Sequence, residues 1–434
     1  MDLTKLYQPF KKHSRISIDS RRIVGGELFF AIKGDRFDGN AYAAAALESG
    51  AAYAVVDDES VVQDERYILV DDALTALQDL GRHHRRQFDI PVVGITGSNG
   101  KTTTKELVAE VLRRKYRLHF TQGNFNNHIG VPLTLLAMPE DTEIAVIEMG
   151  ANHQGEIDML SRIAEPTHGL ITNIGKAHLE GFGGIEGVKK GKSELYRFLA
   201  ETDGLVFINR DEPFLEDLAA PCRRRRFYYQ TKQVEGPFEV KLLQDQPTLA
   251  VQFADADATA TANTQLVGLY NLGNIMTAVA LGHYFEVPGH DIKAALESYV
   301  PENMRTQIMR RGTNLFLLDA YNANPTSMQG AIRAFRKMEA QRRILILGDM
   351  LELGEDAGYE HRAVLDLAAE LGFDEVILVG SLFEPLAAAY GHRHFPDSAA
   401  LRTWFDGAGY EQSHFLVKGS RSIRLERLLK EEQD

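Results

Sequence analysis

The sequence predicts an α/β protein of three domains: a small mixed α/β N-terminal domain (residues 1–88), a central domain with a mainly parallel sheet (89–300), and a C-terminal, doubly wound, Rossmann-like domain (301–434). Three observations predict it. The chain has 434 residues, too many for one core and enough for about three domains. Near residue 90 an apolar strand runs into a Gly-rich turn and an amphipathic helix, the opening of a parallel-sheet unit. From about residue 300 onward, apolar strands ending in Gly or Asp alternate with helices.

The elements follow in order. In the first zone, ISIDSRRIVGGELFFAIKG gives a short strand, a turn and an apolar strand at Leu28–Ile32, followed by a helix at Ala41–Ser49 and a strand at Ala52–Val56. An Arg- and His-rich helix, Ala73–Gln87, leads out. In the second, the strand Ile90–Ile95 is followed by buried-strand patterns in TEIAVIEMG, HGLITNIG and GLVFIN, which alternate with helices and so predict a sheet covered on both faces. Between Phe238 and Leu266 the pattern changes to short alternating strands, an antiparallel edge or insert, before a helix at Asn274–Tyr284. In the third, NLFLLDAYNANP, RRILILGDM, DEVILVG and SHFLVKGS each hold a strand. Ligands of such sheets sit at the carboxyl ends of the strands, where Asp319, Asp349 and Lys418 fall.

Composition excludes several classes. Hydrophobic residues make up 44% and charged residues 25%, ordinary for a globular protein, and a net charge of -13 argues against a broad nucleic-acid face. The basic run Arg223–Arg226 reads as a solvated loop. One cysteine, Cys222, allows no intramolecular disulfide and no Cys-based metal site. The N-terminal residues lack an apolar signal core of about 7–15 residues, and no run of about 18 apolar residues exists, so a cytoplasmic protein without a transmembrane segment is expected.

GITGSNGKTTTKELVAEVL at Gly94–Leu112 carries the chemistry. Backbone N–H groups of Gly97, Ser98, Asn99, Gly100 and the helix start can face a phosphate, Lys101 adds a charge, and Thr102 and Thr103 add hydroxyls. The strict phosphate loop places a Gly where Ile95 stands, so the pattern predicts phosphate binding without identifying the enzyme. Thr102 is placed for Mg²⁺, and Glu148, at a strand end, either holds the same cation or caps a turn. His178 is a second possible ligand or a structural histidine. Lys192, in KKGKSELY, reads from composition as part of a solvated charge face.

The set TGSNGKTTT, GNFNNHIGVPLTLL, EMGANHQGEI, TNIGKAHLEGFGG, GLYNLGNIMTAVA, DAYNANPTSM, LGDMLELG and LVKGSRSIRLE resembles the Mur ligases, in family order from Asp19 to about Glu426. TGSNGKTTT is shared with folylpolyglutamate synthases. EMGANHQGEI and DAYNANP point to the branch that joins D-alanyl-D-alanine to UDP-N-acetylmuramoyl-tripeptide. The resemblance implies a central P-loop ATPase domain, ATP, two Mg²⁺ ions and an acyl-phosphate mechanism. It places Lys101 and Thr102 at phosphate and Mg²⁺, Glu148 and His178 at metal, and Lys192 at a position that Mur ligases commonly carry as a carbamate. Lys101, Lys192 and His178 are thereby the catalytic candidates.

The resemblance further puts Asn271 and Asn274 at adenine, although Leu269-Tyr270 replace the family's x-His there. Arg305, Asp319 and Tyr321 fall at nucleotide contacts from the C-terminal domain. Asn322 and Asn324 of DAYNANP, with Lys418 and Ser420, fall at the substrate side of the closed site. Ser20, Arg21, Phe30, Ala31 and Gly34 match the site for the uridine nucleotide, and Asn124, Asn126 and Asn127 the loop near its phosphate and sugar. A monomer is expected. A sibling Mur ligase, a folylpolyglutamate synthase and a nucleotide-switch module remain as alternatives.

Overall fold

The computed structural model describes residues 3–34, 37–256, 258–302 and 304–429. Its strands form a four-stranded sheet, a nine-stranded sheet, a six-stranded sheet and a two-stranded hairpin. The four-stranded sheet runs Ile16–Ser17, Leu28–Phe30, Tyr53–Val56, Tyr67–Leu69 and is parallel throughout. Helix Ala73–Arg85 leaves this layer. Asp72 starts it by accepting the Thr75 N–H at 2.6 Å, satisfying one of the donors that every helix start leaves open. Its Gly81 lies against Pro132, where a Cβ would meet the proline at 2.9 Å, so close packing of this helix on the central layer requires glycine.

The nine-stranded sheet runs Ala258–Asn263, Ala250–Asp255, Glu239–Gln244, Arg224–Gln230, Leu205–Asn209, His168–Ile171, Val92–Thr96, Ile144–Glu148, Leu118–Phe120. From Glu239–Gln244 to Leu118–Phe120 its neighbours are parallel, and Ala250–Asp255 pairs antiparallel with the strand on each side of it. Val92–Thr96 is buried at every residue, as a strand covered on both faces must be. It lies between His168–Ile171 and Ile144–Glu148, with Ile95 opposite Glu148 and Thr96 opposite Ile171. With strands about 4.8 Å apart, this register sets Glu148 and Asn173 on either side of the turn that follows Thr96.

The six-stranded sheet runs Gln307–Arg311, Asn314–Asp319, Ser413–Lys418, Arg342–Gly348, Glu375–Val379, Arg393–Phe395, parallel except for its first strand. Helix Pro325–Lys337 opens with a capping box in which Asn324 and Ser327 satisfy each other's backbone N–H, and Pro325 presets the first turn. One buried apolar cluster continues from the central sheet (Val92, Ile147, Val206) into this one (Leu317, Leu345, Leu416), so the two layers share a core.

Five strands of the larger sheets escape sequence patterning: Tyr67–Leu69, Leu118–Phe120, Arg224–Gln230, Gln307–Arg311 and Arg393–Phe395; the hairpin strands Lys33–Gly34 and Phe37–Asp38 escape it too. Arg224–Gln230 corrects the loop expected at the basic run. Its ladder with Leu205–Asn209 satisfies the backbone, while Arg224, Arg225 and Arg226 keep their side chains in solvent.

Candidate active site

The turn after Val92–Thr96 is built for an anion. Gly97 has φ +144°, and a Cβ there would lie 2.0 Å from Thr172 Oγ1, so no other residue fits without displacing that hydroxyl. Thr172 Oγ1 donates to the Asn99 carbonyl at 2.6 Å, Asn173 accepts the Asn99 N–H at 3.0 Å, and Ser98 Oγ donates to the Gly175 carbonyl at 3.1 Å. These bonds from the neighbouring strand end fix the loop from outside. Helix Lys101–Leu112 starts at Gly100 with φ +79° and no side-chain cap, so its first N–H groups stay available to a phosphate.

Lys101 Nζ donates to the Gly97 carbonyl at 2.8 Å. Burial pulls its pKa down to about 8; Glu148 works against that shift and Arg305 adds to it. Thr102 Oγ1 donates to Glu148 Oε1 at 3.1 Å, and the Asn126 amide donates to the same oxygen at 2.8 Å. Glu148 Oε2 is buried with no hydrogen-bond partner, as are Asn99 Nδ2 and Arg305 Nε. Orphaned buried polar atoms are uncommon in folded proteins, and these three meet at one place.

That place is a cavity of about 560 Å³. Ser98, Asn99, Gly100, Lys101, Thr102 and Thr103 form one wall, with Asn126, Asn127, Glu148 and His178 beside them. Asn271 and Asn274 line a further side. The C-terminal layer closes it with Arg305, Asp319, Tyr321, Asn322, Asn324 and Lys418. Lys418 Nζ bonds Asp319 Oδ2 at 2.6 Å and the Asn322 carbonyl at 3.1 Å. The Arg305 guanidinium lies 3.7 Å from the Tyr321 ring centre, and the Asn324 amide reaches across to Asn99 Oδ1 at 2.7 Å. Most of the sequence-predicted residues therefore share one cavity, assembled from two sheets.

Others stand apart. Asn271 and Asn274 spend most of their amide groups internally: Thr104 Oγ1 donates to Asn274 Oδ1 at 2.9 Å, Asn274 Nδ2 to Asn271 Oδ1 at 2.8 Å, and Asn271 Nδ2 to the Val267 carbonyl at 2.9 Å. The pair braces the phosphate-loop helix. Tyr270, at the departed family position, bonds Thr306 Oγ1 at 3.1 Å. His178 pairs with Glu352 of the C-terminal layer, and both have left-handed backbones, at φ 51° and 63°. Lys192 lies behind the cavity wall and is 0% exposed, contrary to a solvated face. Its Nζ donates to the Ala151 carbonyl at 3.1 Å and faces the Phe182 ring, and burial together with Lys101 drives its pKa well down.

Ser420 is buried and holds the Leu351 N–H at 3.0 Å. Asn127 caps Ile129 and Gly130, and the carbonyl of exposed Asn124 accepts the Asn126 N–H. In the N-terminal layer Ser20 opens a single helical turn, Arg21 is forked onto Asp19, Phe30 and Ala31 are core residues, and Gly34 sits in the exposed hairpin. None of these five lines the cavity. Sequence reasoning missed Glu212, Thr306, Thr326 and Glu156, which do. Glu156, inside EMGANHQGEI, and Thr326, inside DAYNANPTSM, lay in motifs that pointed to the site; Glu212 and Thr306 did not.

The donor set suits a hard cation. Thr102 Oγ1 and Glu148 Oε2 are oxygen ligands of the kind Mg²⁺ takes. Among the described residues no cluster of three His, Cys, Asp or Glu side chains could hold a metal, so such an ion would complete its shell with phosphate oxygens and water.

Three Mur ligase models match in chain order: the family's catalytic domain over residues 12–85, the middle domain over 95–282 and the glutamate ligase domain over 304–421. The UDP-N-acetylmuramoyl-tripeptide–D-alanyl-D-alanine ligase of Bacillus subtilis is 38% identical over 430 residues, covering 96% of this chain and 92% of that one. The crystal structure of MurF from Acinetobacter baumannii superposes with a TM-score of 0.84 at 32% identity, over 96% of this chain and 92% of that one. MurF from Thermotoga maritima, solved with ADP, superposes at 0.82 and 28% identity, over 99% and 97%. With a relative at this identity over nearly the whole chain, and all three domain models matched in order, the chain belongs to the Mur ligase family.

Proposed function

We propose that this chain joins D-alanyl-D-alanine to UDP-N-acetylmuramoyl-tripeptide at the expense of ATP, as a step in making peptidoglycan precursors. The observation that carries the reading is the single cavity in which an uncapped phosphate-loop helix faces Asp319, Asn324 and Lys418 of a second sheet. The named relatives of high coverage supply the substrates. The chain's remaining family alternatives share the phosphate loop but not EMGANHQGEI and DAYNANP.

In this reading the tripeptide carboxylate attacks the γ-phosphate of ATP, giving an acyl phosphate and ADP. The amine of D-alanyl-D-alanine then attacks the activated carbonyl, and phosphate leaves. The first step brings a carboxylate against a polyanion. The helix start and Lys101 oppose that repulsion; Lys101 reaches the phosphates by exchanging the Gly97 carbonyl for an anionic oxygen. Mg²⁺, held by Thr102 and Glu148, would supply further charge neutralisation for the transferring phosphoryl group. Burial, with Lys101 nearby, lowers the Lys192 pKa well below that of a free lysine and so favours the neutral amine that carbamate formation requires. The C-terminal layer covers the site, excluding water that would hydrolyse an acyl phosphate.

Phosphate release tests the assignment. With ATP, Mg²⁺ and UDP-N-acetylmuramoyl-tripeptide, turnover should appear on adding D-alanyl-D-alanine and not on adding glutamate. Turnover with glutamate alone would move the chain to another branch. No turnover with either would favour a nucleotide switch.

A further inference from the structure

Lys105 lies one helical turn beyond Lys101 and is 1% exposed. Its ammonium sits 3.8 Å from Glu148 Oε2, the carboxylate oxygen without a hydrogen-bond partner, and 3.8 Å from Glu106 Oε1. Both distances exceed a hydrogen bond, so the ammonium acts as a nearby charge and not as a donor that consumes the oxygen. Glu106 is already engaged, since its other oxygen accepts the Tyr299 hydroxyl at 2.7 Å. On the cavity side, Lys101 is attracted by Glu148 and repelled by Arg305. One carboxylate thus faces two lysine side chains, with Arg305 close enough to act on both lysines, in a water-poor setting where charges are weakly screened.

The geometry points to Lys105 as a positioning residue that makes the metal site depend on nucleotide. The oxygen offered to a divalent cation is the one the buried ammonium confronts. A bare cation arriving at Glu148 meets net positive surroundings. A cation arriving with the β- and γ-phosphates meets a site whose charge those phosphates reverse. Metal and nucleotide are therefore taken up together, and Glu148 does not trap the cation alone. This rests on the assignment of Thr102 and Glu148 to the metal made above.

The test uses Mn²⁺ as probe, its free concentration read by electron paramagnetic resonance, on the full chain with and without ADP. Wild type should bind Mn²⁺ at least about tenfold more tightly with ADP than without. Lys105→Met should bind it about tenfold or more tightly than wild type in the absence of ADP, and so show a smaller gain from ADP. Lys105→Arg should restore wild-type coupling. Glu106→Gln, which removes a neighbouring negative charge, should weaken ADP-free binding, and it provides an independent arm if Lys105→Met does not fold. Unchanged or weaker ADP-free binding in folded Lys105→Met would overturn the role of Lys105. No Mn²⁺ binding by wild type even with ADP would instead overturn the metal assignment beneath it.

Discussion

Lys176 and Glu360 meet across the boundary between the central and C-terminal layers, Nζ to Oε1 at 2.5 Å. Their side chains are unequally buried, at 48% and 3% exposed. Lys176→Met therefore leaves a carboxylate in a dry place, one of whose oxygens already lacks a hydrogen bond. A fully buried ion pair broken in this way costs about 3–5 kcal/mol. Because Lys176 is half in water, a loss of about 1–3 kcal/mol is the appropriate scale here. Glu360→Gln is the milder cut. The lysine returns to solvent, the amide keeps an oxygen at the same site, and the expected cost is below about 1 kcal/mol. Denaturant unfolding, with turnover at saturating substrates alongside, measures both variants, and turnover should follow the same order because the pair helps to seat the layer carrying Asp319 and Lys418. If Glu360→Gln costs as much as Lys176→Met, the argument from unequal burial is wrong.

Gly97→Ala should weaken ADP binding more than tenfold in calorimetry, because a Cβ at φ +144° collides with the hydroxyl that holds Asn99; unchanged affinity would contradict the loop geometry. His168 is half-buried, and desolvation, with Arg224 nearby, lowers its pKa to about 4 against about 6.5 in an unfolded chain. The unfolded state takes up this proton first, so the histidine removes about 2–3 kcal/mol of stability as pH falls from about 6.5 to 4. His168→Phe, which suits the surrounding Phe207, Tyr284 and Phe285 rings, should flatten that part of the stability–pH curve, and an unaltered slope would count against it. Lys192→Ala should lose most activity and regain part of it with short-chain carboxylates, whereas full activity of the unrescued variant would remove Lys192 from the mechanism.

The phosphate loop was legible because it is local: strand, Gly turn and helix succeed one another within twenty residues or so, and each type has its own pattern. Glu148 was legible as a strand-end carboxylate for the same reason. Partners supplied by distant chain were not. Thr104 and Asn274 are 170 positions apart, and Lys176 and Glu360 184, and nothing in either neighbourhood announces the other. Lys189, Lys190 and Lys192 look alike in sequence, yet packing against Phe182 and Ala151 sends only Lys192 inside. The arginine run hides a strand because its backbone is satisfied by Leu205–Asn209 while its side chains obey no buried alternation. Asn271 and Asn274 were identifiable as important by resemblance, but their bracing of the phosphate-loop helix is a matter of three hydrogen bonds that only the fold brings together.

In the proposed reaction the cavity activates the tripeptide carboxylate by phosphorylating it before the amine attacks. Tripeptide substrate carrying ¹⁸O in its terminal carboxylate, incubated with ATP, Mg²⁺ and D-alanyl-D-alanine, tests this by mass spectrometry of the released phosphate. One ¹⁸O should pass to each phosphate formed, together with a product lengthened by D-alanyl-D-alanine. Unlabelled phosphate accompanying product formation would contradict it.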